Sequence, residues 1–311
     1  VRQSADNELP RPTGDGIGKI EYNSNLAHFY AHFVRNTIDT SLEGMTIVYD
    51  GANGAASSVG PEILAGLGAN VININVNPDG LNINHHCGST HIEGLQVAVQ
   101  QHNADLGIAN DGDADRCLLV DEKGQVLDGD QIMLLCALKL KEEGKLKDDT
   151  VVGTVMSNIG FHKAAEELGI KTVSTAVGDR YVLEYMREHD LSVGGEQSGH
   201  VIFLDHNTTG DGMLTAVQVA ALMKEKNKPL SELAGIMTKY PQVLVNVRVA
   251  TKTGWEDNDI IKAAIVTAEG ELGDEGRVLV RASGTEPLIR VMAEGPDQEE
   301  LQSLCQEIAD I

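Results

Sequence analysis

The sequence predicts an α/β protein: two related three-layer α/β domains on mixed or parallel sheets, followed by a smaller α+β domain. Hydrophobic residues make up 41% of the chain and aromatic residues only 4%, which is typical of buried aliphatic strands covered by helices. Short apolar runs alternate with helix-length segments, and 311 residues exceed one compact domain. The predicted segments are a linker at 1–20, α/β domains at 21–125 and 126–239, and an α+β domain at 240–311.

The elements of the first α/β domain follow from apolar spacing. Apolar residues at helical intervals predict a helix over 25–40. The apolar run at 45–50 is a predicted strand, and glycines close it before a helix that starts near Ser57. A strand at 70–76 completes a βαβ unit and predicts a parallel sheet. The remaining predicted elements are a helix at 91–102 and strands at 106–109 and 117–121.

The second α/β domain repeats this order, whereas the last domain does not. The run at 242–250 alternates apolar and polar residues, as a half-buried strand does. Strands joined mostly by hairpins, with two helices, indicate an α+β domain. In the second domain the predicted helices are 130–141, 160–168, 180–188 and 211–224, with strands at 150–155 and 171–175; in the last domain the further strands are 277–283 and 288–295, with helices at 258–269 and 297–311.

The charge excludes several classes of partner. The formal net charge is −23, from 47 acidic and 24 basic residues, so the surface repels nucleic acid and anionic membranes. A phosphorylated ligand then requires a local cluster of Arg. Four widely spaced cysteines are typical of a reduced, cytoplasmic protein, and no apolar run approaches the roughly 20 residues of a membrane span.

Three alternate carboxylates stand out in DGDADR (111–116), here named the acidic loop. Alternate residues of an extended segment point to the same side, so Asp111, Asp113 and Asp115 converge and repel one another unless a cation neutralises them. Such oxygen ligands favour Mg²⁺ or Ca²⁺ over zinc. A solvated acidic turn is the alternative. An EF-hand is excluded because Arg116 stands where that turn needs glycine, and a haloacid dehalogenase places its acids after the first strand.

Two further loops have chemistry suited to a phosphosugar. The arginine loop (281–290) combines two Arg, hydroxyls and a glycine, a set that makes a phosphate cradle; a plain hairpin turn is the alternative. In the GEQSGH loop (195–200), Glu196 and Ser198 can point the same way and bind adjacent sugar hydroxyls. His200 alone is more typical of a hydrogen-bonded turn histidine.

Two weaker sites are left open or rejected. Asp179 precedes a predicted helix, where it suits an N-cap and a binding site equally well. Cys87, Ser89 and His91 superficially suggest a nucleophile with a base. A cap by Ser89 or Thr90 for the following helix is the favoured interpretation.

In this order, DGDADR, VGDRYV, GGEQSGH and RASGTEPLIRVMAEG make the chain resemble the α-D-phosphohexomutase superfamily over essentially its whole length. That superfamily has three related α/β domains and a smaller α+β domain that binds phosphate. The resemblance implies Mg²⁺ binding by Asp111, Asp113 and Asp115, a catalytic Arg116, sugar binding by Glu196, Ser198, Asp179 and Arg180, and phosphate binding by Arg281, Ser283, Gly284, Thr285 and Arg290.

Gln197 and the stretch DGLNIN…CGSTH are most similar to the branch that acts on glucosamine phosphates. The implied reaction interconverts glucosamine 6-phosphate and glucosamine 1-phosphate through a phosphoserine and a bisphosphorylated sugar, for UDP-N-acetylglucosamine and cell-wall precursor synthesis. The implied partner is a hexosamine phosphate, and a homo-oligomer is left open. A sister enzyme for glucose or mannose phosphates and a non-catalytic phosphosugar-binding protein are the alternatives.

One departure from the superfamily bears on activity. Its phosphoserine lies in a TxSHNP-like loop of the first domain, and no SHNP occurs in this sequence. We therefore expect the chain to begin about where the second domain of the superfamily begins, and expect these 311 residues alone to show no mutase turnover.

Overall fold

The computed structural model describes residues 12–311 apart from 22, 24 and 285, and the predicted linker at 1–20 therefore lies partly outside the described residues. Three sheets organise the chain. Their strands are β1 Thr46–Asp50, β2 Asn70–Ile74, β3 Leu106–Asn110, β4 Cys117–Asp121 and β5 Val126–Leu127; β6 Thr150–Thr154, β7 Lys171–Thr175, β8 Val193–Gly195 and β9 Val201–Phe203; β10 Gln242–Arg248, β11 Arg277–Ala282 and β12 Leu288–Glu294.

The helices alternate with the strands in the first two sheets. They are α1 Asn25–Arg35, α2 Val59–Gly66, α3 Glu93–His102, α4 Gly129–Glu142, α5 Ile159–Glu167, α6 Asp179–Glu188, α7 Gly212–Lys226, α8 Leu230–Leu233, α9 Asp259–Leu272 and α10 Gln298–Ala309. No helix in the described part of the chain is both long and apolar enough to cross a membrane.

The first two sheets share one topology. Their strand orders are β2-β1-β3-β4-β5 and β7-β6-β8-β9. In each sheet three parallel strands are followed by an antiparallel strand, β4 after β3 and β9 after β8. The predicted pair of related α/β units with mixed sheets is therefore confirmed. The acidic loop and the GEQSGH loop occupy equivalent hairpins, β3–β4 and β8–β9.

One apolar interior serves both α/β units. Helix α7 follows β9 in sequence but packs against β3 and β4 of the first sheet, while α4 packs against β6 and β8 of the second. Both helices are apolar on most of their circumference: Val217 and Ile132, among others, are fully buried. A helix that is apolar all round belongs between two layers. The two units are consequently held as one body by α4 and α7.

The third sheet is fully antiparallel, in the order β10-β12-β11, which confirms the α+β prediction. One of its faces carries Val243, Val278, Val291 and Ala293, which pack against α9 and α10 in a hydrophobic core separate from the larger one. The other face, in which residues such as Leu279 and Met292 alternate with these, lies away from the two helices.

Two local predictions were wrong. Helix α1 ends at Arg35 and not at 40, because the Thr37 hydroxyl and amide both donate to the carbonyl of Val34 (2.7 and 3.1 Å) and form a turn. Helix α3 begins at Glu93 after Ile92, and neither Ser89 nor Thr90 caps it, since both belong to a preceding 3₁₀ turn. A short polar residue near a helix start caps it only when the chain enters directly.

Candidate functional site

The acidic loop brings its three predicted ligands together. It leaves the sheet at the buried end of β3, and Asp111 is almost buried, Asp115 half-buried and Asp113 exposed. One carboxylate oxygen of each lies within 4.8 Å of the others. Ala114 between them adopts a left-handed conformation (φ 62°), which turns the loop back toward β4. The predicted convergence of the carboxylates is thus present in the fold.

Buried polar side chains hold this loop from below. The Asn110 amide donates to the carbonyl of Arg116 (2.7 Å), and the Tyr49 hydroxyl donates to the Asn110 Oδ1 (3.0 Å). From the neighbouring turn, the amide of Ala55 donates to the carbonyl of Gly112 (2.8 Å). Tyr49 and Asn110 were not predicted as part of the site, although Asn110 directly precedes the motif. Their contacts fix both ends of the loop.

The charges in the acidic loop are only partly neutralised by protein groups. Burial, followed by repulsion from Asp115, raises the pKa of Asp111 to about 6. The Nε of Arg116 lies 3.8 Å from an Asp111 oxygen and 4.0 Å from an Asp115 oxygen. The Asp115 Oδ1 is buried without a hydrogen-bond partner among the described residues. Carboxylates with an oxygen left unpartnered suit a divalent cation, so this cluster could bind a metal.

The GEQSGH loop closes a small cavity on the second sheet. Glu196 Oε1 accepts a hydrogen bond from the amide of Gly178 (3.0 Å), which ties this loop to the start of α6. Ser198 is exposed. The lining of the cavity, about 270 Å³ in volume, consists of Thr154, Met156, Val177, Glu196, Gln197 and Ser198. Glu196 and Ser198 both line this cavity, and their binding of a sugar stays a prediction.

The acidic loop and the GEQSGH loop meet directly. Arg116 and His200 form an antiparallel bridge, and the amide of Cys117 donates to the carbonyl of Gly199 (3.0 Å). The amide of Gly129, at the start of α4, donates to the carbonyl of Gln197 (2.9 Å). Two loops about 80 residues apart in the chain thus form one continuous surface.

His200 is the functional candidate that sequence reasoning undervalued. Its side chain is 3% exposed, and its Nε2 lies 3.4 Å from Asp115 Oδ2 and 3.9 Å from Asp179 Oδ2. Neither ring nitrogen has a hydrogen-bond partner among the described residues, so the interpretation as a hydrogen-bonded turn histidine was wrong. Gly210 packs so closely against the ring that a side chain there would collide with it.

The VGDR segment reaches the site only in part. Gly178 occupies the N-cap position of α6, and Asp179 is the first residue of the helix; no side-chain hydrogen bond caps this end. The N-cap interpretation of Asp179 was therefore wrong. The Asp179 carboxylate faces His200 at the distance given above. Arg180 instead points along the helix surface, where its Nε donates to Glu184 Oε1 (2.7 Å); no hydrogen bond joins it to the acidic loop among the described residues.

The arginine loop places two guanidinium groups side by side. Arg281 on β11 and Arg290 on β12 are paired in register, and burial, followed by the charge of Arg290, lowers the pKa of Arg281. The Arg290 Nη2 is 3.0 Å from Glu286 Oε2. Ser283 Oγ accepts from the amide of Glu286 (3.3 Å), and Gly284 has open space where a side chain would stand.

The arginine loop stands apart from the other two loops. Thr285, predicted to bind phosphate, lies outside the described residues. Among the described residues, no hydrogen bond or ion pair connects the arginine loop with the acidic loop or the GEQSGH loop. A ligand that uses all three loops must bridge the space between them.

Comparison with protein families gives matches along nearly the whole chain. Residues 21–124 match "Phosphoglucomutase/phosphomannomutase, alpha/beta/alpha domain II", residues 128–240 match domain III of the same family, and residues 244–311 match its C-terminal domain. The three profiles follow one another in family order.

Two curated relatives from different bacteria share one name. A phosphoglucosamine mutase of Desulforamulus reducens is 55% identical over 304 residues, which cover 98% of this chain and 68% of the relative. The phosphoglucosamine mutase of Bacillus subtilis is 53% identical over 302 residues, 97% of this chain and 66% of the relative. The chain thus spans about two thirds of the length of these relatives.

Solved structures share the fold at lower identity. A phosphoglucomutase/phosphomannomutase family protein from Burkholderia thailandensis superposes with a TM-score of 0.75 at 20% identity, over 90% of this chain and 62% of that one. N-acetylphosphoglucosamine mutase from Aspergillus fumigatus, in complex with GlcNAc-6P and magnesium, gives a TM-score of 0.69 at 24% identity, over 90% of this chain and 68% of that one.

Proposed function

The chain belongs to the phosphoglucomutase/phosphomannomutase family, and from that premise we propose that it carries the substrate- and metal-binding part of a phosphoglucosamine mutase. The proposed reaction interconverts glucosamine 6-phosphate and glucosamine 1-phosphate. The observation that carries the proposal is the continuous surface on which Arg116 of the acidic loop pairs with His200 of the GEQSGH loop. Three carboxylates that could bind a metal belong to one of these loops, and part of the lining of the cavity of about 270 Å³ belongs to the other.

Asp111, Asp113 and Asp115 are the proposed ligands of Mg²⁺. When bound, such an ion polarises a phosphoryl oxygen and neutralises charge that develops during transfer. The protein's own contribution is the spacing: three carboxylate oxygens within 4.8 Å, set by Asn110 and by the turn at Ala114. Arg116, half-exposed beside them, is proposed to stabilise the equatorial oxygens of the phosphoryl group.

Glu196 and Ser198 are proposed to bind the sugar hydroxyls, with Asp179 and Arg180 at the rim of the same site. Glu196 already accepts from Gly178, so one of its two carboxylate oxygens is committed to the fold and the other is left for ligand. A carboxylate and a hydroxyl at this spacing accept and donate to adjacent sugar hydroxyls, in whichever direction the sugar lies.

The arginine loop is proposed to hold the phosphate that is not reacting. Arg281 and Arg290 are register partners on neighbouring strands, and two adjacent guanidinium groups suit a dianion. Ser283, Gly284 and Thr285 are the remaining proposed phosphate ligands. Burial, followed by the neighbouring charge of Arg290, lowers the pKa of Arg281, and a bound phosphate would offset the repulsion between the two guanidinium groups.

The phosphoryl donor is proposed to come from outside the 311 residues, because no SHNP-type serine occurs among them. Taken alone, this polypeptide is expected to bind hexosamine phosphates without turnover. We also propose that the protein works in the cytoplasm, in the synthesis of UDP-N-acetylglucosamine and cell-wall precursors; four cysteines that are all free support a reducing compartment.

The test has a binding arm and a turnover arm. Titration calorimetry with Mg²⁺ present should show glucosamine 6-phosphate binding the chain more tightly than glucose 6-phosphate or mannose 6-phosphate. Fusion to the remaining third of the Bacillus subtilis relative should then give turnover, and Arg281→Met in that fusion should raise KM. A preference for mannose phosphates would exclude glucosamine 6-phosphate as the preferred substrate. Failure of the fusion to turn over would contradict the proposal that this chain binds substrate and metal while the phosphoryl donor comes from outside it.

A further inference from the structure

A fully buried carboxylate sits where the C-terminal domain joins the second α/β unit. Glu294, the last residue of β12, has no exposed surface. Within its own sheet it accepts from the Nε2 of Gln242 and from the Nε of Arg277, each at 2.7 Å. These neighbouring residues are its register partners on β10 and β11. A buried charge of this kind is costly unless every oxygen is engaged.

The remaining donors come from the other side of the boundary. The amide of Ile159, the first residue of α5, donates to Glu294 Oε2 (2.9 Å), and the Asn158 side chain donates to Oε1 (3.4 Å). In return the Arg277 Nη2 donates to the carbonyl of Ser157 (2.5 Å). The first amides of a helix have no partner inside it and prefer negative charge. Glu294 thus binds the start of a helix in another domain.

The connecting segment is fastened at the same point. The amide of Tyr240 donates to Asn158 Oδ1 (3.0 Å), and the Asn158 amide group donates back to the carbonyl of Tyr240 (3.0 Å). One asparagine therefore holds the link between the domains while it contacts Glu294. The joint consists of Glu294, Arg277 and the segment 157–159.

Among the described residues, every side-chain hydrogen bond that joins the chain beyond 241 to the α/β units involves Glu294 or Arg277. The hydrophobic core of that domain is separate from the core shared by the two α/β units. No described helix or strand beyond 241 packs extensively against one from the α/β units. The hydrogen bonds and charges of the joint therefore contribute to the orientation of the C-terminal domain.

The same pair of strands carries the arginine loop at its other end. Arg277 pairs with Glu294, and four residues along each strand Arg281 pairs with Arg290. Residues four apart in a strand project from the same face, and at about 3.3 Å per residue the two pairs are about 13 Å apart. The joint and the arginine loop are therefore two ends of one rigid face.

We propose that Glu294 and Arg277 are positioning residues, which set the distance between the arginine loop and the GEQSGH loop and so select a ligand that spans both. The proposal rests on the proposed function, since the spanning ligand is a hexosamine phosphate. Arg281 and Arg290 lie about 13 Å from the joint. A small rotation of the C-terminal domain about the joint therefore shifts both side chains relative to the GEQSGH loop. When two loops are held at a fixed distance, a ligand bound to one loop meets the other at a high effective concentration. Looser attachment of the C-terminal domain lowers that effective concentration.

Glu294→Gln is the decisive variant. Whichever way the amide is turned, its NH₂ group must face two donors, either Ile159 and Arg277 or Asn158 and Gln242. We expect amide exchange in the first turn of α5 to accelerate by about tenfold or more. We expect the affinity for glucosamine 6-phosphate to fall about tenfold, while the affinities for inorganic phosphate and for Mg²⁺ stay within about twofold.

The controls separate positioning from general damage. Glu271→Gln removes the same charge from an exposed position on α9 and should change nothing. Arg277→Lys keeps the charge beside Glu294 but lacks the fork that reaches the Ser157 carbonyl, so it should show the same split between ligands in weaker form. It is also the second variant where Glu294→Gln folds poorly.

Each result decides one of the two hypotheses. If Glu294→Gln leaves amide exchange in the first turn of α5 unchanged, the hypothesis that Glu294 holds the start of this helix is wrong. Faster exchange with an unchanged affinity for glucosamine 6-phosphate, or an equal loss of inorganic phosphate binding, would overturn the positioning role. If the unsubstituted chain binds inorganic phosphate but no hexosamine phosphate, the proposed function fails, and the exchange experiment still decides whether the joint exists.

Discussion

Asp130 gives the most quantitative prediction about pH. This residue of α4 is fully buried, and its Oδ2 accepts a hydrogen bond from the amide of Asn158 (2.7 Å). Its Oδ1 has no hydrogen-bond partner among the described residues. Burial, followed by repulsion from Asp128, raises the pKa of Asp130 from 3.8 to about 7. The folded protein thus favours the protonated acid.

The sign and size of the effect follow from proton linkage. Because the pKa of Asp130 is higher in the folded state than in the unfolded state, the folded state binds more protons between pH 4 and 7. Stability is therefore greatest below the unfolded pKa and is lost as the pH rises toward the folded pKa. With 1.36 kcal/mol for each pH step, the loss between pH 5 and pH 8 is about 3 kcal/mol.

The assay compares thermal unfolding of the unsubstituted chain and Asp130→Asn across that range. Asparagine keeps an oxygen for the Asn158 amide but cannot ionise, so the variant should lose less stability on going to pH 8. The two Tm profiles should diverge by about 5–10 °C between pH 5 and pH 8. Asp274→Asn, at an exposed turn, is the control. Parallel Tm profiles for Asp130→Asn and the unsubstituted chain would refute the claim that the pKa of Asp130 is raised in the folded state.

Three further predictions test the site and its support. Asp113→Asn should weaken Mg²⁺ at least about tenfold with an unchanged Tm; calorimetry measures both, and full retention of affinity would exclude this residue as a ligand. Gly129→Ala should lower the free energy of unfolding by about 1–3 kcal/mol, because the new methyl group would meet the Glu196 carbonyl oxygen. It should weaken the binding of hexosamine phosphate but not of Mg²⁺, and equal losses of both affinities would contradict a local effect. Tyr49→Phe should cost about 1–3 kcal/mol in urea unfolding and weaken Mg²⁺, since the Asn110 oxygen loses its donor; an unchanged midpoint would show that Asn110 needs no support.

The fold class was predictable because it depends on local periodicity. Each strand of the first two sheets appears as a short apolar run and each covering helix as a segment of helical spacing, and the order of these elements leaves few topologies. Helix ends were less predictable: Thr37 ends α1 through a bond to Val34, and a hydroxyl near a helix does not reveal whether it caps or terminates.

The candidate ligands were predictable where they lie in one short loop. Three carboxylates at alternate positions of the acidic loop converge without help from the rest of the chain, and Arg281 and Arg290 flank a single hairpin. Tyr49, Asn110 and Glu294 gave no such signal. Their roles depend on partners 61, 6 and 135 residues away, and each appears in the sequence only as a polar residue at or next to the end of a strand.

The order of the elements, the three loops and the chemistry of each loop could be predicted from the sequence, because backbone periodicity and side-chain type act over a few residues. The tertiary structure was needed to show that the acidic loop and the GEQSGH loop meet at Arg116 and His200, and that Glu294 joins the C-terminal domain to α5. These contacts depend on how α4 and α7 pack two sheets into one core. Such packing is a property of many distant side chains together, and no short stretch of sequence carries it.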